Sequence, residues 1–304
     1  MKSSSSKLVE KIRRLKSERN AIILAHNYQM GEVQDIADCI GDSLGLSRIA
    51  AGTDADVIVF CGVYFMAETA KMLSPQKTVL VPDKEARCPM AGMVSAQQVR
   101  TLKEKHPQAK VICYVNTTAE VKAECDLCCT SANAVKVAKS VLNGDVIFVP
   151  DKYLADYVST QTGSTFITWD GYCPAHVKIL PEDILKLKSL RPDAEVVVHP
   201  ECIPEVVKLA DEVLSTGGMC KHAKKTGAHE MIVGTETGLL YRLKKENPGK
   251  LFYPASSSAV CTDMKLTTLE KVLLSLKEMK YEVKVPRDII SRAVQSIQKM
   301  LDLT

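Results

Sequence analysis

The sequence predicts an α/β protein of three similar αβα-sandwich domains, with parallel sheets arranged about a pseudo-threefold axis. Three observations lead there: a helix-then-strand unit that occurs three times, a 17-residue spacing that recurs within each unit, and one cysteine at the same station late in each unit. A chain of 304 residues also exceeds what a single hydrophobic core usually serves.

Each unit opens with an amphipathic segment and an apolar strand: LVEKIRRLKSERNAIILAHNY, VRTLKEKHPQAKVICYVN and ILKLKSLRPDAEVVVHPE. The strands expected at 21–25, 110–114 and 195–198 are continuous apolar or β-branched runs, as strands covered on both faces of a parallel sheet should be. They end in polar residues, His26-Asn27-Tyr28, Asn116-Thr117-Thr118 and His199-Pro200-Glu201. A helical stretch and a short segment then lead to Ser43, Ser131 and Thr216, each 17 residues past His26, Tyr114 and His199. Two further strands follow per unit: DVIVFCG with KTVLVPD, DVIFVPD with STFITWD, and EMIVGTE with KLFYPAS.

Every unit then reaches its cysteine. Cys88, Cys173 and Cys261 are 85 and 88 residues apart and lie 62, 59 and 62 residues past the same three strand ends. The expected domains are residues 1–88, 89–173 and 174–261. Residues 262–304 hold two amphipathic helical segments, TLEKVLLSLKEM and RDIISRAVQSIQKML, expected to return over the first domain. Right-handed crossovers make such sheets parallel, and ligands then bind beyond the carboxyl ends of the strands. All the stations named above fall at those ends.

Composition narrows the partners. The hydrophobic share is 46%, the charged share 25%, and the net charge of +4 includes no basic run of the kind that binds nucleic acid. No apolar stretch reaches the roughly 18 residues of a membrane span, and the Ser-rich start at 1–7 has no signal-type apolar region. A cytoplasmic protein is expected, with neither nucleic acid nor membrane as partner. In a reducing compartment its eleven cysteines are free thiols, metal ligands or catalytic groups.

One cysteine from each of three domains does not resemble the paired knuckles of structural zinc. An iron-sulfur cubane suits it better, because three thiolates leave one iron without a protein ligand, free to act as a Lewis acid on a hydroxyl or carbonyl. The Cys125-Asp126-Leu127-Cys128-Cys129 run contains a CxxC, but it belongs to one unit only. It is read as buried or incidental thiol, and Cys39, Cys61, Cys113, Cys202 and Cys220 as small packing residues.

Ser43, Ser131 and Thr216 are candidate helix N-caps, and three converging helix starts would hold a small polyanion. His26, Tyr28, Tyr114, Asn116, His199 and Glu201 add a dense set of acid-base and hydrogen-bonding groups at the strand ends. His176, three residues after Cys173, is a further pocket candidate.

Together the segments HNYQMGEVQDIADCIGDSL, YVNTTAEVKAECDLCCTSANAV, HPECIPEVVKLADEVLSTGGM and GTETGLLYRLKKENP resemble the quinolinate synthase family of pyridine-nucleotide (NAD) biosynthesis, along essentially the whole chain. The resemblance implies three αβα domains and one 4Fe-4S cluster on Cys88, Cys173 and Cys261. It implies a transferase that condenses iminosuccinate with dihydroxyacetone phosphate to give quinolinate, phosphate and two waters. By motif position, His26, Ser43, Tyr114, Asn116, Ser131, His199, Glu201 and Thr216 would line the substrate site. Tyr28 and Glu201 would move protons, with His199 beside them. The chemistry implies an aspartate oxidase or dehydrogenase as supplier of iminosuccinate. Some relatives carry a redox-active cysteine pair in a longer C-terminal segment; here the last cysteine is Cys261, so regulation by that route is not expected.

Overall fold

The structure, a computed structural model, describes residues 4–303, so residues 1–3 of the Ser-rich start and Thr304 lie outside it. The first unit runs α1 (Ser4–Glu18), β1 (Ala21–His26), α2 (Gly31–Ile36), β2 (Cys39–Gly41), α3 (Ser43–Gly52), β3 (Val57–Cys61), α4 (Tyr64–Leu73), β4 (Thr78–Leu80). The second repeats the order: α5 (Ala96–Lys105), β5 (Lys110–Tyr114), α6 (Ala119–Lys122), β6 (Leu127–Cys129), α7 (Ala134–Lys139), β7 (Val146–Val149), α8 (Lys152–Thr162), β8 (Ile167–Thr168). So does the third: α9 (Pro181–Leu190), β9 (Glu195–Val198), α10 (Pro204–Val207), β10 (Glu212–Val213), α11 (Thr216–Lys225), β11 (Glu230–Gly234), α12 (Leu239–Glu246), β12 (Leu251–Pro254). Helices α13 (Leu269–Glu278) and α14 (Arg287–Asp302) complete the chain.

Each unit forms its own four-stranded sheet, in the orders β2-β1-β3-β4, β6-β5-β7-β8 and β10-β9-β11-β12. All nine strand pairings are parallel. The first strand of each unit is therefore central, which is why Ile23-Leu24-Ala25, Val111-Ile112-Cys113 and Val196-Val197-Val198 are fully buried and carry no alternating pattern.

An aspartate fixes the register in every unit. Asp38, Asp126 and Asp211 stand just ahead of the short edge strands, and each accepts a hydrogen bond from the central-strand backbone N–H of Ile23, Val111 or Val196, at 2.8–2.9 Å. The three lie 12 residues past His26, Tyr114 and His199. Clamped to the neighbouring strand in this way, two- and three-residue edge strands can aim the helices that follow them.

The tail departs in part from expectation. Helix α13 does pack on the first unit, against α1 and β3, burying Leu269, Val272 and Leu276 with Ile12 and Val59. Helix α14 instead lies chiefly on the second unit, against β6 and α6, with a smaller contact to α4. Its buried stripe is Ala293, Ser296, Ile297 and Met300, and Ser296 Oγ donates to the Lys122 carbonyl at 3.0 Å. Amphipathic periodicity says which face of a helix is buried, not which sheet receives it. Among the described residues, no helix is long and apolar enough to cross a membrane.

Candidate active site

The carboxyl ends of the three central strands converge on one cavity. Its wall includes His26, Tyr28 and Ser43 from the first unit, Tyr114, Asn116 and Ser131 from the second, His199, Glu201 and Thr216 from the third, and Cys88, Cys173 and Cys261. Val63, Phe65, Met66 and Met264 supply apolar surface. The space open to the centre of a water-sized group is about 60 Å³, so the cavity is narrow and most of its polar atoms are out of water. His176 is not on the wall. It lies behind it, buried, where it links other residues of the site.

The two strand-end histidines are held alike. Nδ1 of His26 accepts the backbone N–H of Tyr28 at 3.2 Å, and Nδ1 of His199 accepts that of Glu201 at 3.3 Å. Burial lowers the pKa of His26 to about 4 and that of His199 to about 3, so both rings are neutral near pH 7. With Nδ1 accepting, the ring proton belongs on Nε2, which makes Nε2 a donor toward the cavity side. His199 Nε2 lies 3.1 Å from Ser131 Oγ.

Glu201 is the centre of a polar chain. Burial opposes its ionisation, but His176 and His199 outweigh that cost and hold the carboxyl well below its ordinary range. Tyr114 donates its hydroxyl to Glu201 Oε1, and His176 Nδ1 approaches Oε2 to 2.8 Å. On the far side of the imidazole, Nε2 lies 2.9 Å from Thr235 Oγ1, which is 2.7 Å from the Tyr28 hydroxyl. Burial, then the nearby Glu201 charge, push both tyrosine phenols well above their ordinary pKa, so Tyr28 and Tyr114 stay protonated. Tyr28, Thr235 and His176 are thus hydrogen-bonded in sequence, and Glu201 stands 2.8 Å beyond His176 Nδ1, a contact that lacks hydrogen-bond geometry. Asn116 Oδ1, by contrast, is buried with no hydrogen-bond partner among the described residues, and a ligand in the cavity would satisfy it.

None of the three hydroxyl stations is an N-cap: two sit one residue past the cap and one sits ahead of it. The N-cap of α3 is Asp42, whose carboxylate accepts from Gly45 N, and the N-cap of α11 is Ser215, which accepts from Gly218 N. Ser43 and Thr216 are the first helical residues, and Ser131 lies in the turn before α7. In α3 and α11 the residue before the hydroxyl does the capping; the N-cap of α7 is Asn133, two residues past Ser131 and without a side-chain cap bond, and all three hydroxyls stay on the cavity wall. Thr216 Oγ1 also accepts Asn27 Nδ2 at 2.8 Å, tying the third unit to the first.

Each cavity cysteine opens a tight turn: Met90–Met93 follows Cys88, His176–Lys178 follows Cys173 and Asp263–Leu266 follows Cys261. Burial pushes the Cys88 and Cys173 thiols up, and that of Cys261 to about 11. Backbone N–H groups counter it: those of Met90 and Ala91 at Cys88, Ala175 and His176 at Cys173, and Met264 at Cys261. Such donors are placed for thiolate sulfur, and hydrogen bonds to sulfur are what tune iron-sulfur centres. As free thiols these residues would be inert; as thiolates on a cation they use every donor around them. The donor set therefore fits a three-cysteine cluster. Cys173, His176 and Glu201 also bring one ligand atom each within 4.8 Å of one another, though two of them already serve the proton path. Cys125, Cys128 and Cys129 are absent from the cavity wall; Cys113 and Cys128 are register partners inside the second sheet.

Two buried acids were missed by the sequence reading. Asp151 and Glu236 each stand two residues past the end of β7 or β11. Glu236 accepts the backbone N–H of Cys261 at 3.2 Å and that of Gly238 at 2.7 Å, and meets Lys265 Nζ at 2.8 Å, so it holds the third cysteine turn. Asp151 caps α8 with one oxygen and leaves the other buried and unpartnered. The signal was visible in the parallel endings of DVIFVPD and EMIVGTE.

Three α/β units that close one buried cavity with matched thiols, imidazoles and hydroxyls define an enzyme whose chemistry is done at the junction of its repeats. The family model described as "NadA: Quinolinate synthetase A protein" matches residues 10–302, and the chain belongs to that family. Curated relatives agree in sequence and length. The "Quinolinate synthase" of Dehalococcoides mccartyi (strain ATCC BAA-2266 / KCTC 15142 / 195) is 58% identical over 97% of this chain and 97% of its own. That of Thermodesulfovibrio yellowstonii is 55% identical over 98% and 99%, and that of Methanosarcina barkeri 53% over 97% of each.

Proposed function

We propose that this chain is a quinolinate synthase of NAD biosynthesis, condensing iminosuccinate with dihydroxyacetone phosphate to quinolinate, phosphate and two waters in the cytoplasm. An aspartate oxidase or dehydrogenase would supply the iminosuccinate. The observation that carries the reading is the convergence of Cys88, Cys173 and Cys261 with the strand-end imidazoles and hydroxyls on one cavity, in a chain whose relatives of matching length bear that activity's name.

A 4Fe-4S cluster on the three cysteines would supply Lewis acidity at the iron that lacks a protein ligand. The chain's own residues do the rest. Neutral His26 and His199 offer Nε2–H, and Ser43, Ser131 and Thr216 offer hydroxyls, to substrate carboxylate and phosphate oxygens. Asn116 uses its unpartnered Oδ1 to orient a substrate N–H or O–H. Glu201, held ionised, accepts a proton, while Tyr28, held protonated, donates one; the path through His176 and Thr235 lets the pair reset between the two dehydrations. The narrow cavity excludes bulk water from the imine.

The test is anaerobic purification with iron and sulfide analysis, followed by an assay of quinolinate from the two substrates. Four irons per chain with product formation is expected. Cluster-loaded protein that makes no quinolinate would overturn the reading.

A further inference from the structure

Beyond the inner cavity lies a second, wider one that shares Asp42 and Ser131 with it. On the same measure its open space is about 560 Å³. Helices α3, α7 and α11 present their first turns to it, and it is lined by Arg48, Lys136, Lys139 and Lys221. Among the described residues, Asp42 is the one acid on its wall, and that carboxylate is engaged by Gly45 N and Ser215 Oγ.

These cations follow the repeat. Arg48 is five residues past Ser43, Lys136 five past Ser131 and Lys221 five past Thr216, so each unit contributes one positive side chain just over a helical turn beyond its hydroxyl. All four are exposed. None has an ion pair or hydrogen bond among the described residues, a state they share with other exposed cations such as Lys186 and Lys225; what sets them apart is that they face one concavity. Unpaired like charges around one concavity raise the local concentration of counter-ions, and the positive ends of α3 and α11 point the same way. Plain solvated lysines need neither a matched station nor a shared cavity.

We infer that this outer cavity is an anion vestibule, in which the ring of Arg48, Lys136 and Lys221, with Lys139, gathers phosphate dianions and passes them along the helix starts to the inner cavity. The ligand class is a phosphate monoester on the way in and inorganic phosphate on the way out. The inference rests on the function proposed above, which makes one substrate a phosphate ester and phosphate a product.

Two measurements on cluster-loaded protein test it, using Arg48→Gln, Lys136→Gln and Lys221→Gln singly and combined. In turnover, the triple variant should lose roughly tenfold in kcat/KM for dihydroxyacetone phosphate at low salt, keep its kcat, and show a flatter fall of kcat/KM with added potassium chloride. Inorganic phosphate should inhibit it less. In equilibrium dialysis, which needs no turnover, inorganic phosphate should bind the wild type more tightly than the triple variant. Unchanged kcat/KM, salt slope and phosphate affinity in the triple variant would overturn the vestibule. A wild type that makes no quinolinate yet loses phosphate binding in the triple variant would overturn the proposed function and leave the vestibule standing.

Discussion

The inner and outer cavities are built on the same three helix starts, yet opposite physics governs them. Inside, His26, His199 and Glu201 are buried and the three cysteines partly so, and desolvation weighs on all of them: the two strand-end imidazoles are neutral, the thiols are high, and the carboxyl stays low because His176, with Tyr114 donating to it, outweighs its burial. Outside, Arg48, Lys136, Lys139 and Lys221 are in water, where charges stay on and salt screens them. A one-turn offset along each helix separates groups that act by contact from groups that act by field. Single substitutions inside should therefore be severe and insensitive to salt, and those outside mild and salt-dependent.

The largest effect expected is at the cysteine turns. Cys88→Ala, Cys173→Ala or Cys261→Ala should abolish the cluster, read as iron content and visible absorbance, whereas Cys125→Ala and Cys128→Ala should retain it. A normal iron content in any of the first three would remove the metal from the inner cavity.

Next comes the proton path. Glu201→Gln should keep the fold and the cluster yet lose about 10²- to 10⁴-fold in turnover, and Tyr28→Phe should behave similarly because only a hydroxyl leaves the path. Near-normal rates in both, with cluster content checked on the same samples, would assign proton transfer to another group.

Acid should reveal the buried histidines as a loss of stability. Their folded pKa values, about 4 for His26 and about 3 for His199, lie below the ordinary 6.5, so the unfolded chain takes up these protons first. Stability is complete above pH 6.5 and falls as the pH drops toward 4, by roughly 2 kcal/mol per histidine at pH 5. Below its ordinary 4.5 the depressed carboxyl of Glu201 adds a loss of the same sign. Urea titrations of cluster-free protein at pH 7.5 and pH 5 measure this, and equal midpoints would mean that the inner imidazoles are as solvated as the outer ring.

The smallest effect separates cap from wall. Ser215→Ala should cost about 1 kcal/mol of stability with little change in substrate affinity. Thr216→Ala strips the buried Asn27 of its acceptor, so it should cost a comparable stability but also raise the KM. Thermal melts beside substrate titrations decide it, and an unchanged KM in Thr216→Ala would leave Thr216 a purely structural residue.

The sequence by itself determined the repeat: three units, their central strands, the 17-residue step to the hydroxyls and the matched cysteines were all legible, because buried parallel strands are continuous apolar runs and equal loop lengths preserve equal spacings. What it left undecided was whatever depends on a contact between units or on a one-residue shift. Asp42 and Ser215, rather than Ser43 and Thr216, cap their helices, since the cap is set by backbone geometry at the strand-to-helix turn and adjacent polar residues compete for it. His176 sits behind the wall, where Thr235 bonds its Nε2 and Glu201 stands 2.8 Å from its Nδ1. Helix α14 lies on the second unit, where Ala293, Ile297 and Met300 join one apolar cluster with Leu127, Cys128 and Cys129 of β6. Periodicity and spacing are properties of one segment. Which buried charge meets which imidazole, and which sheet a helix covers, are properties of the packed chain, where desolvation makes a few ångströms decisive.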